Sequence, residues 1–152
     1  MRLDNPNDTL YKSIEIVAFT GTQIGMTSAQ KKALRNLLIE MKPRVLIHGD
    51  CIGADAEVHD IAVKLGIEVW IRPCILSQKR AYKEGKILAD PEDPIARNHK
   101  MVDQSHALIG APKSPQQELR SGTWATVRYA KKTDVLRWLV YPDGSMSTPL
   151  DV

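Results

Sequence analysis

The chain has 152 residues, of which 43% are hydrophobic and 26% are charged, a composition typical of a globular domain with its own core. Its net charge of +3 is too small to indicate nucleic-acid binding, and no apolar run approaches the ~18 residues that a membrane-spanning helix needs. Two cysteines without histidines at metal-ligand spacing argue against a disulfide framework, a metal or another cofactor. The first residues lack the apolar core of a signal peptide, so we expect one cytoplasmic domain over residues 1–152.

The first third of the chain alternates between a strand pattern and a helix pattern. Residues 13–20 read SIEIVAFT, an apolar and β-branched run typical of a buried strand. After the loop GTQIGMT, the apolar residues of segment 28–41 share one helical face. Thr27 and Gln30 have the spacing of a capping box, which predicts that the helix begins there.

The alternation continues and is then interrupted by a long loop. Residues 44–48 and 67–73 predict the second and third strands, with a helix between them that ends at Gly66. Residues 77–94 are polar, basic and punctuated by prolines, and a loop of this length in a compact domain is usually functional or mobile.

Four more elements complete the pattern. We expect helices over residues 94–105 and 123–132, and strands over residues 106–112 and 135–142. Strands that alternate with helices predict an α/β fold with a parallel sheet covered on both faces. Such sheets bind ligands beyond the carboxyl ends of their strands, where the strand order reverses.

One loop at that edge, residues 48–55, reads HGDCIGAD. Backbone N–H groups at the start of a helix are unpaired and the helix dipole is positive there, so anions bind readily. Gly49 and Gly53 would allow close backbone approach, and Asp55 would accept a hydrogen bond from a ribose hydroxyl. The alternative, in which the glycines only form a turn and Asp55 only caps the helix, is equally compatible with this stretch.

Two more loops at the same edge carry glycine with a hydroxyl residue. Gly21 and Thr22 follow the first strand, and Ser121, Gly122 and Thr123 precede the last predicted helix. Three such loops at one sheet edge favour a phosphate-bearing or nucleotide-type ligand over plain turns. Neither the P-loop pattern nor the dinucleotide fingerprint is present.

Four motifs in order, GTQIGMT, HGDCIGAD, ARNHKMVDQSHALIGAP and ELRSGTWATVRYA, resemble the SLOG superfamily, which includes the Lonely-guy phosphoribohydrolases and the DNA-uptake processing proteins. The resemblance covers about residues 14–144 and is greatest to a small stand-alone branch with the RSGTWATVRYA motif, often met in phages and bacterial conflict systems. It implies a three-layer Rossmann-like sandwich with a five-stranded, mainly parallel sheet in the order 3-2-1-4-5. It also implies a nucleotide-derived ligand and a homo-oligomer, a dimer or larger.

The resemblance also implies roles for individual residues. The Gly-Ala-Asp turn corresponds to Gly53, Ala54 and Asp55, the phosphate-binding Gly-Thr to Gly122 and Thr123, and the Arg-Asn pair to Arg97 and Asn98. The phosphoribohydrolases carry a catalytic glutamate where this chain has Thr126, and a threonine supplies no carboxylate for N-glycosidic cleavage. Glu118 is the candidate catalytic residue in its place.

The candidate site has further members with two interpretations each. Lys79, Arg80, Tyr82 and Lys83 form either a basic lid, with Tyr82 stacked on a base, or a solvated loop. Arg97 pairs with either a phosphate or Asp93. His48 either faces the ligand or is a core-edge histidine that bonds to the backbone. The full set of candidate ligand-binding residues is Gly21, Thr22, Gly49, Asp50, Cys51, Gly53, Ala54, Asp55, Arg80, Arg97, Asn98, Arg120, Ser121, Gly122 and Thr123.

Three functions compete on this sequence. The leading hypothesis is a binding protein for a nucleotide or nucleotide-derived signal, of ADP-ribose or cyclic-nucleotide type, that acts as a sensor or a sequestering protein. The first alternative is a phosphoribohydrolase or N-glycosidase that uses Glu118 or Asp55. The second is single-stranded DNA binding, which needs a basic groove with stacking aromatics and is the least favoured here.

Overall fold

The computed structural model of the chain describes residues 7–147 and 149. Five α-helices occur in this part of the chain: α1 (Asp8–Lys12), α2 (Ser28–Met41), α3 (Ala54–Lys64), α4 (Pro94–Asp103) and α5 (Gly122–Lys132). The strands are β1 (Ile16–Gly21), β2 (Val45–His48), β3 (Glu68–Ile71), β4 (Lys86–Ile87), β5 (Ala107–Ala111) and β6 (Leu136–Leu139). No helix within the described ranges has the length and apolarity needed to cross a membrane.

The strands form one sheet in the order β4-β3-β2-β1-β5-β6, and every neighbouring pair is parallel. The α/β class and the parallel sheet are confirmed, and the five strands expected from the sequence lie in the expected relative order. The expected number of five strands was wrong. Lys86 and Ile87 of the long loop pair with Trp70 and Ile71 at the edge of β3. Both residues of β4 are exposed, so the strand carries no buried apolar pattern.

Helices cover both faces of the sheet, which gives three layers. On one face α2 and α3 pack against inward residues of the strands, with Leu34, Leu38 and Val58 among the buried side chains. On the other face α4 and α5 contribute Met101 and Val127 to a second core. Burying both faces explains why the central strands read as continuous apolar runs.

The start of α2 shows the capping box that the sequence predicts. The Thr27 hydroxyl accepts a hydrogen bond from the Gln30 N–H at 3.0 Å, and the Gln30 side chain accepts one from the Thr27 N–H at 3.2 Å. The Gln30 amide also donates to the carbonyls of Pro112 and Val140. These bonds tie the start of α2 to the segments that follow β5 and β6.

The order of the strands reverses between β1 and β5. From β1 the chain moves outward to β2, β3 and β4, and it then returns to place β5 and β6 on the other side of β1. Gly21 pairs with Ala111 at the carboxyl ends of the two strands, and the Thr22 N–H donates to the Ala111 carbonyl at 3.0 Å. A crevice for ligands is therefore expected above this pair of strands.

Candidate functional site

A cleft of about 550 Å³ opens at this reversal of the strand order. It is lined by the end of β1 and its loop, by the start of α3, by the first part of α4, and by the segment that leads into α5. The predicted site residues that line it are Gly21, Thr22, Cys51, Asp55, Arg97, Asn98, Glu118, Arg120, Ser121, Gly122 and Thr123. Residues from four separate segments of the sequence thus meet in one cavity.

Five of the predicted site residues do not line the cleft: Gly49, Asp50, Gly53, Ala54 and Arg80. Gly53 and Ala54 instead hold the start of α3 against the β1 loop. Gly53 precedes α3 with a φ of +86°, and a Cβ there would lie 2.3 Å from the Gln23 carbonyl oxygen. The Ala54 N–H donates to the Thr22 carbonyl at 2.9 Å, and the Cys51 N–H donates to the Asp55 carboxylate at 3.1 Å. The Thr22 carbonyl and the Asp55 carboxylate therefore already accept hydrogen bonds from backbone N–H groups that the sequence suggested for binding an anion at the start of α3.

Asp50 holds the long loop in place through its buried carboxylate. It accepts hydrogen bonds from the Arg80 guanidinium at 3.2 Å, from the Tyr82 N–H at 3.1 Å and from the Lys83 N–H at 3.0 Å. The Tyr82 ring lies under Arg80, and Lys83 pairs with Asp60 at 3.0 Å. Of the four residues considered for a basic lid, Lys79 lines the cleft.

His48 orients Asp50 from within the core. Its Nδ1 accepts a hydrogen bond from the Asp50 N–H at 2.8 Å, so its proton is on Nε2, which lies 2.9 Å from Nδ1 of His59. Burial, together with a smaller effect of the neighbouring His59, lowers the pKa of His48 to about 3. His48 is therefore a neutral imidazole that bonds to the backbone and does not line the cleft.

Arg97 is the buried cation of the cleft. Its Nη1 donates to the Gly49 carbonyl at 2.8 Å and to the Arg72 carbonyl at 3.2 Å, and its Nε donates to the Asn98 side chain at 2.6 Å. A Cβ on Gly49 would lie 2.1 Å from that Nη1, so the absence of a side chain makes room for the guanidinium. Asp93, the other expected partner, instead caps α4.

Asp55 is the buried carboxyl of the cleft. It is 5% exposed, and its Oδ1 has no hydrogen-bond partner among the residues that the structure describes. Burial raises the pKa of Asp55 to about 6, although the positive charge of Arg97 works against this rise. A buried acceptor without a donor is suited to a ligand hydroxyl. Burial also raises the pKa of the Cys51 thiol to about 11, which disfavours its thiolate at neutral pH.

The start of α5 forms the other end of the cleft. The Ser121 hydroxyl accepts a hydrogen bond from the Trp124 N–H at 3.2 Å. The N–H groups of Gly122 and Thr123 have no acceptor inside the helix, because the first residues of a helix have no preceding turn to bond to. A Cβ on Gly122 would have no atom within 4 Å, so the backbone here is open to a ligand. Backbone amides without acceptors at a helix start, beside Arg120, suit a phosphate.

Neither Glu118 nor Thr126 provides an isolated carboxyl group that could act as a catalytic acid. Glu118 lines the cleft and pairs with Lys113 at 3.7 Å. The Thr126 hydroxyl is buried and donates to the Gly122 carbonyl at 2.8 Å, so it does not face the cleft.

The cleft contains residues that the candidate set omitted. They are Phe19, Thr20, Gln23, Ile24, Pro94, Met101 and Lys113; Lys79, which was considered for the basic lid, lines it as well. Lys113 could have been identified from the sequence, because it follows a predicted strand at the edge of the sheet where ligands are expected to bind. Met101 could not have been separated from an ordinary core residue, since it also packs in the second core.

Comparisons with known proteins give no family for the chain: no protein-family model matches it, and no curated protein is significantly similar to it. Within the described part of the chain, no group of three or more histidine, cysteine, aspartate or glutamate residues is placed to hold a metal ion.

Replacement of Asp55 by asparagine should stabilise the protein at pH 8. The folded protein holds the Asp55 proton up to a pKa of about 6, against 3.8 ordinarily, so ionisation of this residue opposes folding above pH 6. Asp55→Asn should raise the free energy of unfolding by roughly 2–3 kcal/mol at pH 8, and this gain should disappear as the pH falls to about 4. Urea denaturation at several pH values measures it. Asp60→Asn, at an exposed residue, should change little, and an Asp55 variant less stable than the wild type at pH 8 would contradict the assignment.

Proposed function

We propose that the chain binds a nucleotide or nucleotide-derived ligand, of ADP-ribose or cyclic-nucleotide type, in this cleft and acts as a sensor or a sequestering protein. The observation that carries the proposal is the chemical difference between the two ends of one cleft. The start of α5 offers amide and hydroxyl donors at Ser121, Gly122 and Thr123, while Asp55 offers a buried acceptor without a donor. A molecule that joins phosphate to a hydroxyl-bearing sugar satisfies both ends.

The charges around the cleft favour an anionic ligand. The cationic side chains Lys79, Arg97, Lys113 and Arg120 outnumber the carboxyl side chains Asp55 and Glu118. Lys113 is partly neutralised by Glu118, and Arg97 donates to backbone carbonyls. Lys79 and Arg120 therefore supply the positive charge that a phosphate would meet on entry.

We also propose that the chain is a member of the SLOG superfamily. Support comes from the convergence of its four motifs: Thr22, Asp55, Arg97 and Gly122 come from different motifs and line the same cleft. The parallel sheet, with its strand order reversed at that cleft, agrees with the Rossmann-like architecture that the resemblance implies.

Isothermal titration calorimetry with NAD, ADP-ribose derivatives, nucleoside monophosphates and cyclic nucleotides tests the proposed function. At least one of these ligands should bind, and Arg120→Ala should weaken it by roughly tenfold, because Arg120 is an exposed cation beside the helix start. Lys132→Ala removes the same charge at the far end of α5 and should leave the affinity unchanged. The proposal fails if no ligand of the panel releases or absorbs heat, or if both variants weaken binding equally.

A phosphoribohydrolase or N-glycosidase is the second candidate, and the state of Asp55 favours it. A carboxyl with a pKa of about 6 exchanges protons near neutral pH, as a general acid or base requires. The two candidates are separated by incubating each nucleotide with the protein and measuring free base by chromatography. Base release that is lost in Asp55→Asn and kept in Glu118→Gln would assign the catalytic role to Asp55.

A further inference from the structure

Two large hydrophobic side chains in the segments that line the cleft are almost fully exposed. Ile24 is 81% exposed and Leu119 is 87% exposed, the highest values among the large hydrophobic residues that the structure describes. Ile24 lines the cleft on the side of the β1 loop, while Leu119 lies between Glu118 and Arg120, which both line it on the side of α5. We call Ile24 and Leu119 the apolar rim.

The apolar rim complements a cleft whose two largest hydrophobic wall residues are inaccessible. Phe19 and Met101 also line the cavity, but they are 0% and 1% exposed and form part of the two cores. A ligand therefore meets accessible hydrophobic surface at the apolar rim and at the half-buried Pro94, and polar groups such as Asp55 and Thr123 deeper in the protein.

On the basis of the proposed function, we infer that the apolar rim is the subsite for the base of the nucleotide. Phosphate and ribose then occupy the polar groups of the cleft, while the flat and weakly polar base lies against Ile24 and Leu119 at its opening. Tyr82, which the sequence offered as a stacking partner, is occupied by Arg80 and by its own hydrogen bond to the Ser77 carbonyl. Aliphatic contact with the base takes the place of aromatic stacking.

Charge argues against a second copy of the chain as the occupant of the apolar rim. A symmetric contact through this surface would bring Lys79 and Arg120 of one copy toward the same cations of the other, and like charges destabilise such contacts. A nucleotide instead brings negative charge together with an apolar ring, so it satisfies the cations and the apolar rim at once.

The test compares a nucleotide with a sugar phosphate that lacks a base. The tightest ligand of the calorimetric panel and ribose 5-phosphate are titrated into the wild type and into the double variant Ile24→Ser/Leu119→Ser. We expect the variant to bind the nucleotide roughly tenfold more weakly and to bind ribose 5-phosphate with unchanged affinity, because only the base loses hydrophobic contact. Val63→Ser, at an exposed hydrophobic residue on the far half of α3, is the matched control and should change neither affinity.

Each outcome decides the question. Ribose 5-phosphate that binds the wild type as tightly as the nucleotide does, or a double variant that keeps full nucleotide affinity, would overturn the inference while the proposed function stands. A shift from oligomer to monomer in the double variant, seen by light scattering without selective loss of nucleotide affinity, would assign the apolar rim to a second copy instead. If no nucleotide binds the wild type, the proposed function and this inference fall together. Recovery of nucleotide affinity in Ile24→Val/Leu119→Met would support the inference.

Discussion

Replacement of Gly53 by alanine is expected to be among the most damaging single changes in this chain. The backbone of Gly53 has φ +86° and ψ −126°, a conformation that residues with a Cβ rarely adopt. The new methyl group would also lie 2.3 Å from the Gln23 carbonyl oxygen and 2.7 Å from that of Thr22. Backbone strain and collision together should lower the free energy of unfolding by roughly 3–5 kcal/mol, measured by urea denaturation.

Gly122→Ala is the matched control for this experiment. Gly122 is the first residue of α5, and a Cβ there meets no atom within 4 Å. Its stability should be unchanged or slightly higher, since alanine is favoured over glycine in a helix. Equal stability losses in the two variants would show that the packing of the β1 loop onto Gly53 does not determine the effect.

Arg97→Met should cost roughly 3–4 kcal/mol of stability, because it leaves buried backbone carbonyls without their donor and removes a positive charge near Asp55. The guanidinium is 4% exposed and donates to the carbonyls of Gly49 and Arg72, which would lose their donor. The Asp55 carboxyl would lose the neighbouring positive charge that favours its ionised form. Thermal and urea denaturation at pH 7 measure the loss.

A double variant identifies how much of that loss comes from the unpaired charge. Asp55→Asn should stabilise the Arg97→Met background by more than it stabilises the wild type, because the Asp55 carboxylate there has lost the neighbouring positive charge. Arg120→Met, at the exposed arginine of the same cleft, should change stability by about 0.5 kcal/mol or less. An Asp55→Asn gain equal to that in the wild type would mean that the lost hydrogen bonds to Gly49 and Arg72 account for the whole effect.

The elements that the sequence predicted best are those with buried periodic patterns. The segment that became β1 contains Val17, Ala18 and Phe19, all fully buried, and such an apolar run is visible without a structure. The helix α1 and the strand β4 were missed because five and two residues are too short to show a period. Pairing with an existing edge strand, rather than local pattern, places Lys86 and Ile87 in the sheet.

The candidate site shows a similar division. Glycine, serine and threonine after strands identified the correct edge, because the topology brings all such loops together. Charged residues were harder to interpret, since sequence shows a charge but not its partner. Asp50 and Arg80 were expected at the ligand, yet they bind each other at 3.2 Å and shape the loop. The buried, unpaired carboxylate oxygen of Asp55 depends on a three-dimensional arrangement that no local motif encodes.

The hydrogen bonds that fix Arg97 have a consequence for the entropy of binding. This side chain already has its rotamer set by two backbone carbonyls, while the side chains of Lys113 and Arg120 extend into solvent. Immobilising such a long side chain costs roughly 0.5–1.5 kcal/mol. A small ligand confined to the region of Arg97 and Asp55 avoids that loss, whereas a larger one that reaches both solvent-exposed cations must offset it with additional contacts.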